Sequence, residues 1–192
     1  MQSLKRNHVY KIGIAGGSGS GKTRLSLYLE EQLSQLMVKV IHMDHYYKQV
    51  RPVYKAPFTD QEYEDFNHPD AVDLNRLYEE YTAAVQSHTF DVVIIEGFLL
   101  FHFPEFRNTL DVKVYIDCLP DERMVRRMAW FLEKGYTYDE FTKEYLDLVR
   151  YRHDEFVEPT KWFADIILNG SKGTHKGTEI LLKWILMRCR GL

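Results

Sequence analysis

The clearest chemical signal in the chain is the run Gly16-Gly17-Ser18-Gly19-Ser20-Gly21-Lys22-Thr23. It satisfies G-x-x-x-x-G-K-[ST], and each residue type has a task. Glycines let the backbone curl until successive N–H groups point at phosphate oxygens, and a following helix adds its positive end. Lys22 reaches the β and γ phosphates, and the Thr23 hydroxyl takes a position on magnesium. The run Gly16, Gly17, Ser18, Gly19, Ser20, Gly21, Lys22 and Thr23 is therefore the expected ATP-binding set.

Two carboxylates extend the pattern. Glu96 ends the apolar run Val92-Val93-Ile94-Ile95, where a parallel strand meets the ligand crevice. With Thr23 it forms the expected magnesium pair. Asp44, in His42-Met43-Asp44-His45-Tyr46-Tyr47-Lys48, also follows a strand and is the expected base for an attacking hydroxyl. Position matters more than basicity there, because phosphoryl transfer is loose. A metal cluster of His42, Asp44 and His45 is the weaker alternative, since neighbouring strand residues point to opposite sides.

Arg123, Arg126 and Arg127 fall at i, i+3 and i+4 and so share a helix face. Such a face can clamp a transferring phosphoryl group, or it can be a solvated basic surface paired with Glu122 or Glu133. The phosphate loop favours the clamp, with Arg127 as the catalytic member and Arg123 and Arg126 on the nucleotide.

Alternating strands and helices must position these groups. Strands are expected at Val9–Ala15, Val38–His42, Val92–Ile95, Val112–Ile116 and Asp165–Leu168, mostly without polar alternation, as in a sheet covered on both faces. Helices are expected after the loop, where Leu25, Leu29, Leu33 and Leu36 make one stripe. Others are expected at Leu74–Gln86 with Asp73 as N-cap, from Pro120 to about Lys134, at Tyr138–Phe156, and at Glu179–Met187. The fold class is α/β: a five-stranded, mostly parallel sheet with helices on both faces. Tyr46–Asp70 is a long stretch without periodicity that holds three of the six prolines, and it reads as a functional loop. By composition, Gly135–Tyr138 and Gly170–Gly177 read as mobile.

Composition bounds the rest. The 192 residues suit one domain, 1–192, with a lid around 121–137. A net charge of -3 argues against a dedicated nucleic-acid binder. The two cysteines, Cys118 and Cys189, read as reduced thiols in a cytoplasmic protein. The polar start, Met1–Tyr10, shows no secretory signal, and no apolar run is long enough for a membrane span. Monomer and homo-oligomer are both left open.

Together these residues resemble the uridine kinase and phosphoribulokinase family of P-loop kinases, most of all uridine kinases and nicotinamide riboside kinases. Gly13–Thr23 is similar to that family's phosphate loop. Asp44-His45-Tyr46-Tyr47-Lys48 resembles its base-carrying element, and His68-Pro69-Asp70-Ala71 matches a uridine kinase stretch. Ile95-Glu96-Gly97-Phe98-Leu99-Leu100-Phe101 looks like nicotinamide riboside kinases. Phe156-Val157-Glu158-Pro159-Thr160, with Ala164-Asp165, resembles bacterial uridine kinases.

The resemblance implies a P-loop NTPase fold and transfer of a γ-phosphate to a primary hydroxyl. The donor is ATP or GTP, with ATP expected, and magnesium is the metal. It places Asp44 as base, Lys22 and Arg127 on the transferred group, and Tyr46, Tyr47, Asn67, His68 and Arg150 around a small-molecule acceptor. Tyr46 and Tyr47 read equally well as core aromatics.

Three departures stand out. Asn67 replaces an Asp that grips ribose hydroxyls, and so loses charge assistance. A hairpin before the Glu96 strand is missing, with only Thr82–Asp91 in its place. The lid carries Trp130, Lys134 and Tyr136 where relatives have more arginine. The alternatives are a nucleotide-binding regulatory module, a kinase of another metabolite such as nicotinamide riboside or pantothenate, and, weakest, a metal-dependent hydrolase.

Overall fold

The computed structural model describes residues 8–171 and 175–189. The expected segment Gly170–Gly177 falls partly outside them, as does most of Met1–Tyr10. Strands β1 (Tyr10–Ala15), β2 (Val38–His42), β5 (Val92–Glu96), β6 (Val112–Asp117) and β7 (Ile166–Asn169) form one sheet in the order β2-β5-β1-β6-β7. Every pairing in it is parallel.

Alternation along these strands divides the core into two layers. On one face Ile12, Ile14, Val92, Ile94, Val114 and Ile116 meet Leu25, Leu29 and Leu33 from helix α1 (Lys22–Gln32) and its C-terminal turn, and Leu181 and Ile185 from α7 (His175–Cys189). On the other, Val93, Ile95, Ala15 and Tyr115 meet Leu77, Tyr81 and Ala84 of α2 (Leu74–Gln86), together with Phe98–Phe103 and Phe106 of the short α3 (Pro104–Arg107). Each large apolar side chain so buried contributes roughly 1.5–3 kcal/mol. Gly13 has no side chain because a Cβ there would lie 2.3 Å from Leu110 and 3.1 Å from Phe101.

Helix α4 (Pro120–Glu133) begins with proline, as expected, and ends at Gly135, which takes a positive φ of 92°. Thr137 and Glu140 then make a capping box that opens α5 (Tyr138–Glu144), so this short span is a built corner between helices. Phe141, Tyr145 and Val149 pack against Met124, Met128 and Phe131, which joins α4 to α5 through a small separate core. The chain continues helically through a π turn (Tyr145–Val149), the single turn α6 (Arg150–Arg152), a second π turn (His153–Val157) and a 3₁₀ stretch (Glu158–Phe163).

Tyr46–Asp70 is not an unstructured loop. It contains an antiparallel hairpin, β3 (Val53–Lys55) with β4 (Glu62–Glu64). Both strands are short and largely exposed, so no apolar alternation betrays them in the sequence. Side chains tie this hairpin to the helical wall. The Thr59 and Tyr63 hydroxyls both donate to Asp147 Oδ2 at 2.8 Å. Beyond the hairpin, Asp65 is fully buried; its Oδ2 accepts from Arg152 Nε at 2.7 Å and its Oδ1 from the Asn67 N–H at 2.9 Å. No strand lies between α2 and β5 among the described residues.

Asp65→Ala removes the acceptor of the Asn67 N–H and one of the two carboxylates on Arg152, which keeps Glu155 at 2.6 Å. It is therefore expected to cost about 1–3 kcal/mol in urea unfolding. Adding Arg152→Leu to it should recover part of that loss.

Candidate active site

The loop between β1 and α1 holds Gly16, Gly19 and Gly21 at φ of 137°, 83° and 103°, a region L side chains avoid. At Gly19 a Cβ would also press the Arg123 backbone oxygen at 2.7 Å. Helix α1 starts at Gly21 with no side-chain cap and no acidic residue in its first turn. Its first N–H groups and its positive end are thus left for an anion. Lys22 curls back over the loop and donates to the Gly17 carbonyl at 3.2 Å. Burial lowers its pKa, and the carboxylates of Glu96 and Asp44 oppose that shift.

Glu96 sits at the carboxyl end of β5, buried, with His42 of β2 as its register partner. Its Oε1 accepts from the Thr23 hydroxyl at 2.9 Å and from His42 Nδ1 at 2.7 Å. Burial alone would raise its pKa; His42, Lys22 and Thr23 outweigh burial and lower it. His42 is raised in turn, first by its bond to Glu96. A hydroxyl that donates its proton to Glu96 keeps its lone pairs for a cation. Thr23 and Glu96 supply hard oxygen donors of the kind magnesium takes beside phosphate oxygens. Among the described residues no group of three or more His, Cys, Asp and Glu could hold a metal by itself.

Asp44 lies in the 3₁₀ turn Met43–His45 directly after β2. Its side chain keeps an open face, yet it stands low in a crevice walled by protein. That crowding raises its carboxyl above the ordinary 3.8, with Lys22 opposing and Glu96 reinforcing the shift.

The three arginines of α4 divide their work. Arg123 is buried, donates from Nε to the Cys118 carbonyl at 3.1 Å, and lies against Gly17. Arg126 donates to the Gly19 carbonyl at 3.3 Å and the Gly170 carbonyl at 3.0 Å, and pairs with Glu122. Arg127 makes no hydrogen bond among the described residues, and its Nε is buried without a partner. Burial lowers its pKa, and the Glu144 carboxylate opposes that shift. The shared face is real, but Arg123 and Arg126 grip loop backbone, while Arg127, lying over the Phe131 ring at 5.3 Å, is the one whose guanidinium makes no hydrogen bond among the described residues.

Two spaces flank the loop. A cavity of about 440 Å³ lies beside α1, lined by Arg24, Tyr28, Arg126, Asn169, Gly170, Thr178 and others. That is within the range for a small-molecule site. On the opposite side a void of about 10 Å³ is lined by Ser18, Asn67, Phe98, Arg123, Val149, His153 and Val157. It has room for about one water. Val149, His153 and Val157 recur every four residues. In an α-helix that spacing drifts by about 40° per step, and the wider π turns offset the drift so that the three form one wall. His153 is pushed down to about 4 by burial and by Arg123, so its ring is neutral at pH 7.

Residues 12–147 match the model of a family described as an AAA domain. A uridine kinase of Geobacillus kaustophilus is 35% identical, covering 82% of this chain and 84% of its own. The chain belongs to the uridine kinase family. Among solved structures, one described as a possible uridine kinase from Bacillus stearothermophilus aligns with a TM-score of 0.56 at 20% identity, covering 86% of this chain and 91% of its own. TT1252 of Thermus thermophilus aligns at 0.59 and 20% identity, covering 95% and 98%. These structural likenesses carry the fold, a parallel sheet flanked by helices.

Within this uridine kinase family member, the acceptor-side residues expected from sequence separate. Asn67 is buried on the void next to Ser18. Tyr47 stands among the charges of Asp44, Arg127, Arg51 and Asp65, and burial drives its hydroxyl pKa far up. Tyr46 belongs to the core instead: its hydroxyl bonds Glu80 of α2, and burial with that bond pushes it up to about 12. His68 caps the next turn, accepting from the Asp70 N–H at 3.1 Å through Nδ1, with its ring edge-on to Phe156. The wall residues face inward, so Arg150, one position past Val149, is rotated outward and bonds Tyr151 at 2.9 Å. Arg152 reaches in instead. His153, Arg152 and Asp65 were not anticipated, and neither was the larger cavity. Only the i, i+4 pair Arg24 and Tyr28 on α1 hinted at that cavity.

A Cβ at Gly17 would press the Arg123 side chain at 2.4 Å, whereas at Gly19 it would meet Arg123 backbone at 2.7 Å and the residue would also have to hold a φ of 83°. Gly19→Ala is therefore expected to lose nucleotide binding by titration calorimetry far more than Gly17→Ala.

Proposed function

We propose that the protein transfers the γ-phosphoryl group of ATP to the primary hydroxyl of a nucleoside, with uridine the leading acceptor. The observation that carries this reading is the meeting of Asp44, Lys22 and Glu96 at one uncapped helix end, close enough for both carboxylates to act on the Lys22 charge. The uridine kinase named among its relatives supports a nucleoside as acceptor. The regulatory-module alternative has no comparable support.

The chain's own groups divide the task. Backbone N–H groups from Gly16 to Thr23 hold the phosphates, and the cavity beside α1 takes the nucleoside of ATP. Thr23 and Glu96 hold magnesium, which supplies charge neutralisation for the β and γ oxygens when bound. Asp44 accepts the proton of the attacking hydroxyl. Lys22 and Arg127 meet the charge that develops on the transferred group. Asn67 and Tyr47 orient the acceptor, and the apolar side chains Phe98, Val149 and Val157 keep water from competing. A cytoplasmic setting fits this reading. No helix of the described residues is long and apolar enough to cross a membrane.

Transfer from labelled ATP across uridine, cytidine, nicotinamide riboside and pantothenate tests the reading, with uridine or cytidine expected to turn over best. No turnover of any acceptor would overturn it. Arg127→Ala is expected to lower kcat by about 10²- to 10³-fold. Because the fold raises the Asp44 pKa, its charged form weakens folding. That penalty is absent below about pH 3.8, where the carboxyl is protonated in both states, and is complete above the folded value. Asp44→Asn should therefore abolish turnover yet raise the urea midpoint at pH 7, with the gain vanishing in acid.

A further inference from the structure

His42 and Glu96 are register partners in adjacent parallel strands, so their side chains leave the same face of the sheet at the same height. The contact between them is 2.7 Å from His42 Nδ1 to Glu96 Oε1. An ionised carboxylate only accepts, so Nδ1 carries the proton. The Thr23 hydroxyl donates to the same oxygen at 2.9 Å. One oxygen of Glu96 thus takes two donors from two different elements, β2 and α1. The other, Oε2, accepts no hydrogen bond among the described residues, although the side chain as a whole is nearly buried. The His42 ring is itself set against His45, with centroids 5.3 Å apart.

We propose that His42 is a positioning residue for Glu96. By occupying Oε1 it fixes the carboxylate so that Oε2 faces the metal of the bound nucleotide, and it thereby sets how tightly that metal is held. The inference rests on the reading of Thr23 and Glu96 as the magnesium side of the site. Without His42, a glutamate with three side-chain torsions would be held by one hydroxyl, which the arriving metal must also use. Groups that orient a metal-binding carboxylate in this way are worth about 10- to 100-fold in metal affinity.

The test uses Mn²⁺ as the probe, titrated by electron paramagnetic resonance with a non-hydrolysable ATP analogue present. His42→Ala and His42→Phe are expected to weaken Mn²⁺ binding by about 10- to 100-fold. They should raise KM for Mg²⁺ while leaving kcat at saturating Mg²⁺ nearly intact. His42→Asn places an amide donor near the position of Nδ1 and should restore most of the affinity. Where His42→Ala fails to fold, the Phe and Asn variants decide. Wild-type affinity in the Ala and Phe variants would overturn the inference. An equal loss in Phe and Asn would also overturn it, because ring chemistry rather than the hydrogen bond would then matter. A wild-type protein whose Mn²⁺ affinity does not rise with nucleotide would instead overturn the reading of Glu96 and Thr23 themselves.

Discussion

A single carboxylate oxygen, Glu96 Oε1, ties together three parts of the molecule. It receives Thr23 from the start of α1 and His42 from the end of β2, while its own backbone ends β5. A buried charge in that position is tolerable only because donors surround it. Those donors are also what aligns the phosphate loop with the crevice at the strand ends. If the contact slips, Lys22 loses one of the two carboxylates that counter its burial. The sheet order β2-β5-β1-β6-β7 is what makes the meeting geometrically possible.

The two halves of the site are built on different physics. The nucleotide half is backbone: positive-φ glycines, an uncapped helix and carbonyls gripped by Arg123 and Arg126. Such a cradle is rigid and indifferent to most side chains. The proposed acceptor half is side-chain work carried by later segments. Asp65 anchors Arg152, Asp147 anchors the hairpin, and π turns line up Val149, His153 and Val157. Asn67 stands where these meet. Asp65 is fully buried, with one protein donor on each of its oxygens.

Legibility from sequence followed the same division. The strands were recognisable to within a residue or two because buried parallel strands are continuous Val and Ile runs. Asp73 as the cap of α2 and Pro120 at the first turn of α4 were also readable, since both act through the backbone next to them. The hairpin escaped notice because three-residue, half-exposed strands carry no apolar period. The pairing of Arg152 with Asp65 is not legible either, because the two lie 87 residues apart and the π turns change which side of this helical stretch faces inward.

By itself, the sequence determined the phosphate-loop motif, the placing of Asp44 and Glu96 at strand ends, and the α/β class. All of these depend on residue types at short, local spacings. Only the tertiary structure decided which arginine makes no hydrogen bond among the described residues, that His42 shares an oxygen with Thr23, and that Tyr46 leaves the crevice for the core. The pairs involved are separated by 54 residues for His42 and Glu96, 73 for Thr23 and Glu96, and 34 for Tyr46 and Glu80. Contacts that distant are set by sheet order and helix register, which no local pattern encodes.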